Sequence, residues 1–175
     1  ADVVKKILKN TDAKDRHLIN QLLKYPEYSA GSIMTTEYVD LEKGMKVAEA
    51  IDRIRKTGKD KENIYTCYVT NEEGKLEGVI SLKELIGKKD DTLIEDVMES
   101  SFASVNTNDH QEEVVAVFKK YDLIVLPVTD NENRILGIIT ADDVMHVVEQ
   151  EATEDFHKMA GITATAEEPY LKTNV

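Results

Sequence analysis

Three carboxylates near the end of the chain, Asp143, Glu151 and Glu154, are separated by eight and three residues, both close to whole turns of a helix with about 3.6 residues per turn. On one continuous helix they fall near one another around the axis, with Asp155 beside them. Such a gathering of oxygen donors suits a hard divalent cation. Mg²⁺, which keeps much of its water, needs only one or two carboxylates and not a closed cage. Without an ion the gathering is costly, because like charges about 4 Å apart repel by ~4 kcal/mol at an effective dielectric of about 20. A bound cation removes that penalty, so the group is suited to report cation concentration by approaching or separating.

The charge balance agrees in sign. Acidic residues number 34 against 22 basic ones, a formal charge of -12, which argues against nucleic acid as a partner and favours cations. Composition by itself is also met by a solvated acidic surface, so placement must decide. Glu72-Glu73 and Asp90-Asp91 read as polar turns, and His17, His110 and His157 lack the paired spacing of a zinc site. The single cysteine, Cys67, sits in the apolar, β-forming run Ile64 to Val69 and reads as strand packing; it fits a reducing compartment. There is no glycine-rich phosphate loop, no HExxH and no GxSxG, so catalysis is not expected. No apolar run reaches the roughly 18 to 20 residues that cross a bilayer, and the first ten residues lack the apolar segment of a signal peptide.

An internal repeat supplies the elements that would position these groups. An offset of 64 residues carries Ile33-Met34 onto Val97-Met98, Tyr38 onto Phe102 and Ile51 onto Val115. An offset of 59 carries Val69-Thr70 onto Val128-Thr129, Gly78 onto Gly137 and Ser81 onto Thr140. The first copy is therefore five residues longer, and the polar stretch Gly58 to Asn63 is where a loop insertion would cost least. Each copy reads as a short extended segment (Tyr38 to Leu41; Phe102 to Val105) and then a helix with an apolar stripe (Val47, Ala50, Ile51, Ile54; Val114, Val115, Val117, Phe118). Two strands follow (Tyr65 to Thr70 and Leu76 to Ser81; Ile124 to Thr129 and Ile135 to Thr140), joined by polar turns. A last helix (Leu82 to Ile86; Ala141 to Val148) is entered through Ser81 or Thr140, whose hydroxyls suit an N-cap. The fold class is α/β: two β-α-β-β-α units in a pseudo-twofold pair with flanking helices.

The segments Gly78-Val79-Ile80-Ser81-Leu82-Lys83-Glu84 and Gly137-Ile138-Ile139-Thr140-Ala141-Asp142-Asp143 resemble the Gly-apolar-apolar-Ser/Thr-x-x-Asp ending of CBS modules. Upstream, Leu23-Lys24-Tyr25-Pro26-Glu27-Tyr28-Ser29-Ala30-Gly31-Ser32-Ile33-Met34-Thr35 is similar to the approach to the CBS pair in MgtE magnesium channels. Downstream, Glu149 to Gly161 resembles that family's passage toward its plug helix. The resemblance spans Leu23 to Gly161.

This resemblance implies a tandem CBS, or Bateman, module from the regulatory region at the cytoplasmic face of the membrane. Residues 1–31 would be the helical end of an N domain with its linker, 32–91 and 92–150 the two CBS modules, and 151–175 the exit helix. It implies gating by Mg²⁺-dependent packing of acidic faces, with Asp122, Asp143, Glu151, Glu154 and Asp155 as favoured ligands and Glu112 as a weaker one. His146 stands one turn after Asp143 where another carboxylate would suit the ion, and neutral imidazole is a poor magnesium ligand. The implied partners are a second copy through the CBS modules and the chain's own N domain, plug helix and transmembrane domain. The alternative reading is an adenine-nucleotide sensor with no metal role. ATP would then meet Thr140 with Asp143, and Ser81 with Glu84, where Glu84 departs from the family's Asp. A purely structural dimerisation module is the third reading.

Overall fold

Alternation in Leu76-Glu77-Gly78-Val79-Ile80-Ser81 is that of a strand with one buried face, and Leu76, Gly78 and Ile80 are the buried members. The preceding strand differs, since Cys67, Tyr68, Val69 and Thr70 are all buried. One of its faces packs on its own helices and the other on the second repeat.

The computed structural model describes residues 24–166. In chain order the elements are α1 (Ala30–Ile33), β1 (Val39–Glu42), α2 (Val47–Thr57), β2 (Thr66–Thr70), β3 (Leu76–Ser81), α3 (Leu82–Ile86), β4 (Val105–Asn106), α4 (Gln111–Tyr121), β5 (Val125–Thr129), β6 (Ile135–Thr140) and α5 (Ala141–Ala166). The expected β-α-β-β-α string is present twice. Both sheets have three strands, ordered β1-β2-β3 and β4-β5-β6, with the first pair parallel and the second antiparallel. Val69 pairs with Gly78 and Val128 with Gly137, and each hairpin register slips at the next residue. The repeat is thus kept down to an irregularity of the ladder. Most of the segment expected as the helical end of an N domain, residues 1–31, falls outside the described residues, as does the far end of 151–175.

The five extra residues of the first copy are spent after α2. A 3-10 turn, Gly58–Asp60, and a short coil lead to β2, whereas α4 is closed by Asp122 alone in the left-handed region, φ 51°, before the chain turns into β5. Each helix buries its stripe: Val47, Ala50 and Ile54 from α2, and Val114, Val115 and Phe118 from α4. Acidic Glu112 and Glu113 open α4 and Lys119 and Lys120 close it, the arrangement that complements its dipole.

The segment ahead of each first strand packs on the opposite repeat. Ala30 N–H donates to the Asp109 carbonyl at 2.8 Å and Gly31 N–H to that of Thr107 at 2.9 Å, while Thr35 and Ile138 exchange a pair of 2.8 Å bonds. In mirror fashion Glu99 bonds Val79, at 2.8 and 2.9 Å. Ala30 and Met34 therefore belong to the second repeat's core, and Val97 and Met98 lie against the first's. Between the sheets, Tyr68, Leu76, Ile135 and Ile138 form a third cluster. Edge bonds reinforce it, Leu76 N–H to Asn133 O at 2.9 Å and Asn133 Nδ2 to Leu76 O at 3.0 Å.

Candidate functional site

The two Ser/Thr-x-x-acid motifs are built alike, at the starts of α3 and α5. Glu84 Oε2 accepts from the Ser81 N–H at 3.0 Å and from its hydroxyl at 2.8 Å; Asp143 Oδ2 accepts both from Thr140 at 2.8 Å. In return Ser81 Oγ accepts from Glu84 N–H at 3.1 Å and Thr140 Oγ1 from Asp143 N–H at 3.4 Å. Each motif closes a helix N-terminus. The longer Glu84 reaches the same donors as Asp143, so its departure from Asp leaves this local structure intact. Hydrogen bonds from the Ser81 N–H, then from its hydroxyl, hold the Glu84 carboxyl below the usual range.

A second locus lies where the incoming chain meets the N-terminus of α4 and the middle of α5. Gln111 Nε2 donates to Glu151 Oε1 at 2.7 Å, and Gln111 N–H donates to the carbonyl of Tyr28 at 2.8 Å. Tyr28 holds φ +63°, an uncommon conformation for a bulky residue, with its ring centroid 6.3 Å from that of His110. Its phenol is raised above the ordinary value, first by the charge of Glu154 and then by Glu27. Further carboxylates border this locus, Glu112 adjoining Gln111 and Asp155 following Glu154 along α5. Asp155 lies 3.9 Å from Lys158 Nζ, an exposed pair of little energetic weight.

The third locus is a cleft of about 630 Å³ between the repeats. Its walls are apolar, from Val79, Phe102, Leu123, Ile124 and Pro127, and its polar lining comes from Thr66, Ser101, Glu99 and Asp122 among others. Among the described residues no lysine or arginine lines it. Thr66 is the ladder partner of Ser81, which brings the first motif to the edge of this cleft, though neither Ser81 nor Glu84 lines it.

Of the residues singled out from sequence, Glu151, Glu154 and Glu112 stand about the α4–α5 junction. Asp143 is engaged at its cap, and Asp122 lines the cleft beyond the far end of α4. Among the described residues no three His, Cys, Asp or Glu side chains converge on a point that would hold a metal. The donors are all oxygens and half-buried or exposed, a chemistry that fits a hydrated Mg²⁺ held by one or two carboxylates. Cys67 is buried and its thiol is pushed up to about 12 by that burial, in keeping with packing. The cleft-lining Tyr68 and Phe102 were not singled out from sequence. The only signal would have been the run Cys67-Tyr68-Val69, apolar on both faces of a strand, which asks for a second packing surface.

Two repeats of this topology, paired through their sheets with a cleft between them, define a tandem regulatory-type α/β module. The CBS domain family model matches residues 30–90 and 94–150, and the chain belongs to that family, carrying the domain twice. The expected kinship with MgtE transporters is met as well. The chain is 42% identical to the magnesium transporter MgtE of Thermus thermophilus over 86% of its own length and 34% of that protein's. It is 40% identical to that of Enterococcus faecalis over 82% and 32%. It thus spans about a third of the length of these relatives. Among solved structures, the cytosolic domain of the Mg²⁺ channel MgtE in complex with ATP superposes with a TM-score of 0.79 at 39% identity, covering 82% of this chain and 58% of that one. The soluble part of a magnesium transporter gives 0.80 at 38%, covering 85% and 58%. No helix among the described residues is long and apolar enough to cross a membrane.

Proposed function

We propose that this chain is the cytosolic, Mg²⁺-sensing regulatory region of an MgtE-type magnesium transporter, with residues 32–91 and 92–150 as its CBS modules. The carrying observation is the set of carboxylates bordering the α4–α5 junction, where Glu151 takes the amide of Gln111, Glu112 opens α4, and Glu154 and Glu27 stand close enough to Tyr28 to act on its phenol. Among the described residues, one chain offers Mg²⁺ separate carboxylates and no closed site. The ion would therefore act between surfaces: the junction against the N domain, the plug helix or a second copy docked through the CBS modules. Bound Mg²⁺ offsets the repulsion and the acidic faces approach, closing the pore of the membrane domain; without it they part. On this reading the region sits at the cytoplasmic face of the membrane. Titration calorimetry tests it: heat of Mg²⁺ binding is expected, weakened in the Glu151→Gln, Glu154→Gln double variant, and an absence of binding at millimolar Mg²⁺ contradicts it.

A second reading concerns the cleft, which has apolar walls, a polar rim and an edge beside the Ser81 motif. These features suit an adenine nucleotide, with the base between the walls. The same calorimeter, with ATP in the syringe, distinguishes the readings.

A further inference from the structure

Tyr68 lies in the middle of β2 with its side chain in the contact between the two sheets, 0% exposed. It is one of the residues lining the cleft, and its hydroxyl is buried without a hydrogen-bond partner among the described residues. A hydroxyl removed from water and left unbonded is unfavourable, and native proteins rarely tolerate one without a reason. Packing supplies none. Tyr38, its edge-on neighbour at a centroid separation of 5.8 Å, spends its own hydroxyl on the carbonyl of Ile135 at 3.3 Å, and phenylalanine would make every other contact of the Tyr68 ring. Burial, and then the neighbouring Cys67, raise the phenol, so it stays protonated and able to donate.

We propose that Tyr68 is a specificity-determining residue of the inter-repeat cleft, its hydroxyl hydrogen-bonding the heteroaromatic base of a bound purine nucleotide; this rests on the nucleotide reading of the cleft. The lining points to the base and not to the phosphates as the part recognised inside. Phe102, Pro127 and Val79 offer apolar faces to a planar ring, whereas Glu99 and Asp122 repel phosphate and no basic residue among those described lines the space. A buried donor in such walls discriminates between bases, because a base that cannot accept leaves the hydroxyl unpaired.

The experiment is calorimetric titration of ATP into the wild-type protein and into Tyr68→Phe, paired with the melting temperature of each without ligand. The variant is expected to bind roughly fivefold to tenfold more weakly, the worth of one hydrogen bond, while melting at the same temperature or higher. Equal affinity in the two proteins overturns the role of Tyr68 and leaves the cleft reading standing. No ATP binding by the wild type overturns both. Should the variant not fold, deaza analogues of ATP, each lacking one ring nitrogen, replace it: one of them must lose a comparable factor against the wild type, and equal binding by all of them refutes the proposal.

Discussion

The sulfur of Met34 sits 2.7 Å from where a Cβ on Gly137 would stand, and that of Met98 sits 2.6 Å from the same position on Gly78. Each repeat's leading methionine is seated on the other repeat's glycine, so the two halves are interlocked by reciprocal contacts at pseudo-equivalent points. The pairs differ in what lies behind the sulfur. At Gly137 the carbonyl oxygen of Thr35 is also at 2.7 Å, whereas at Gly78 the carbonyl of Glu99 is at 3.1 Å.

Alanine substitution separates these cases. Gly137→Ala must displace backbone that is bonded to Ile138, and a loss of about 2–3 kcal/mol is expected by urea denaturation. Gly78→Ala can be relieved by a rotation of Met98, so a smaller loss is expected, about 1 kcal/mol, partly recovered in the Gly78→Ala, Met98→Ala double variant. Equal losses at the two glycines would contradict the asymmetry.

The repeat was legible because glycine, methionine and hydroxyl positions recur at fixed offsets, and both sheets, both helix entries and the five-residue excess follow from it. Periodicity does not say which repeat a segment packs on. Ile33-Met34 and Val97-Met98 carry the same apolar signal whether they fold back or cross over, and the exchange is visible in contacts such as the bonds of Thr35 and Glu99. That Asp143, Glu151 and Glu154 share one helix was equally readable, but no three such side chains converge among the described residues. That Gln111 would take up Glu151, and Thr140 take up Asp143, depends on contacts 40 and 3 residues apart that no spacing rule for a cation distinguishes.

The cap at α3 predicts an acid dependence. The Glu84 carboxyl is depressed in the folded chain from an ordinary value of 4.5 by bonds from the Ser81 N–H and hydroxyl. Its stabilising contribution is therefore fully present above that value and is lost as pH falls through the lower, folded one. Glu84→Gln should flatten the acid limb of a stability-versus-pH curve as pH falls below 4.5. An unchanged slope there would show that the cap does not form in solution.

Asp122 closes α4 with φ 51°, a conformation that glycine adopts without strain. Asp122→Gly should leave stability unchanged or raise it by up to about 1 kcal/mol, and Asp122→Ala should lower it by about 1 kcal/mol. If glycine is tolerated, the carboxylate is not retained for folding. Asp122→Asn, which keeps the shape, then reports through Mg²⁺ or ATP titration what the charge contributes.

The carboxylates of α5 carry the proposed switch. Glu151→Gln, Glu154→Gln and Asp155→Asn combined should raise thermal stability without Mg²⁺, by relieving repulsion, and reduce any increment that Mg²⁺ gives. A variant that gains the full increment would assign the ion to another surface.

Limited proteolysis of the stretch from Glu149 to Gly161 puts the claim of Mg²⁺-dependent packing to its most direct trial, read by mass spectrometry in millimolar Mg²⁺ and in EDTA at equal ionic strength. The account predicts that Mg²⁺ slows cleavage within that stretch several-fold and that the Glu151, Glu154, Asp155 variant loses the effect. Identical cleavage rates in the two conditions would contradict it.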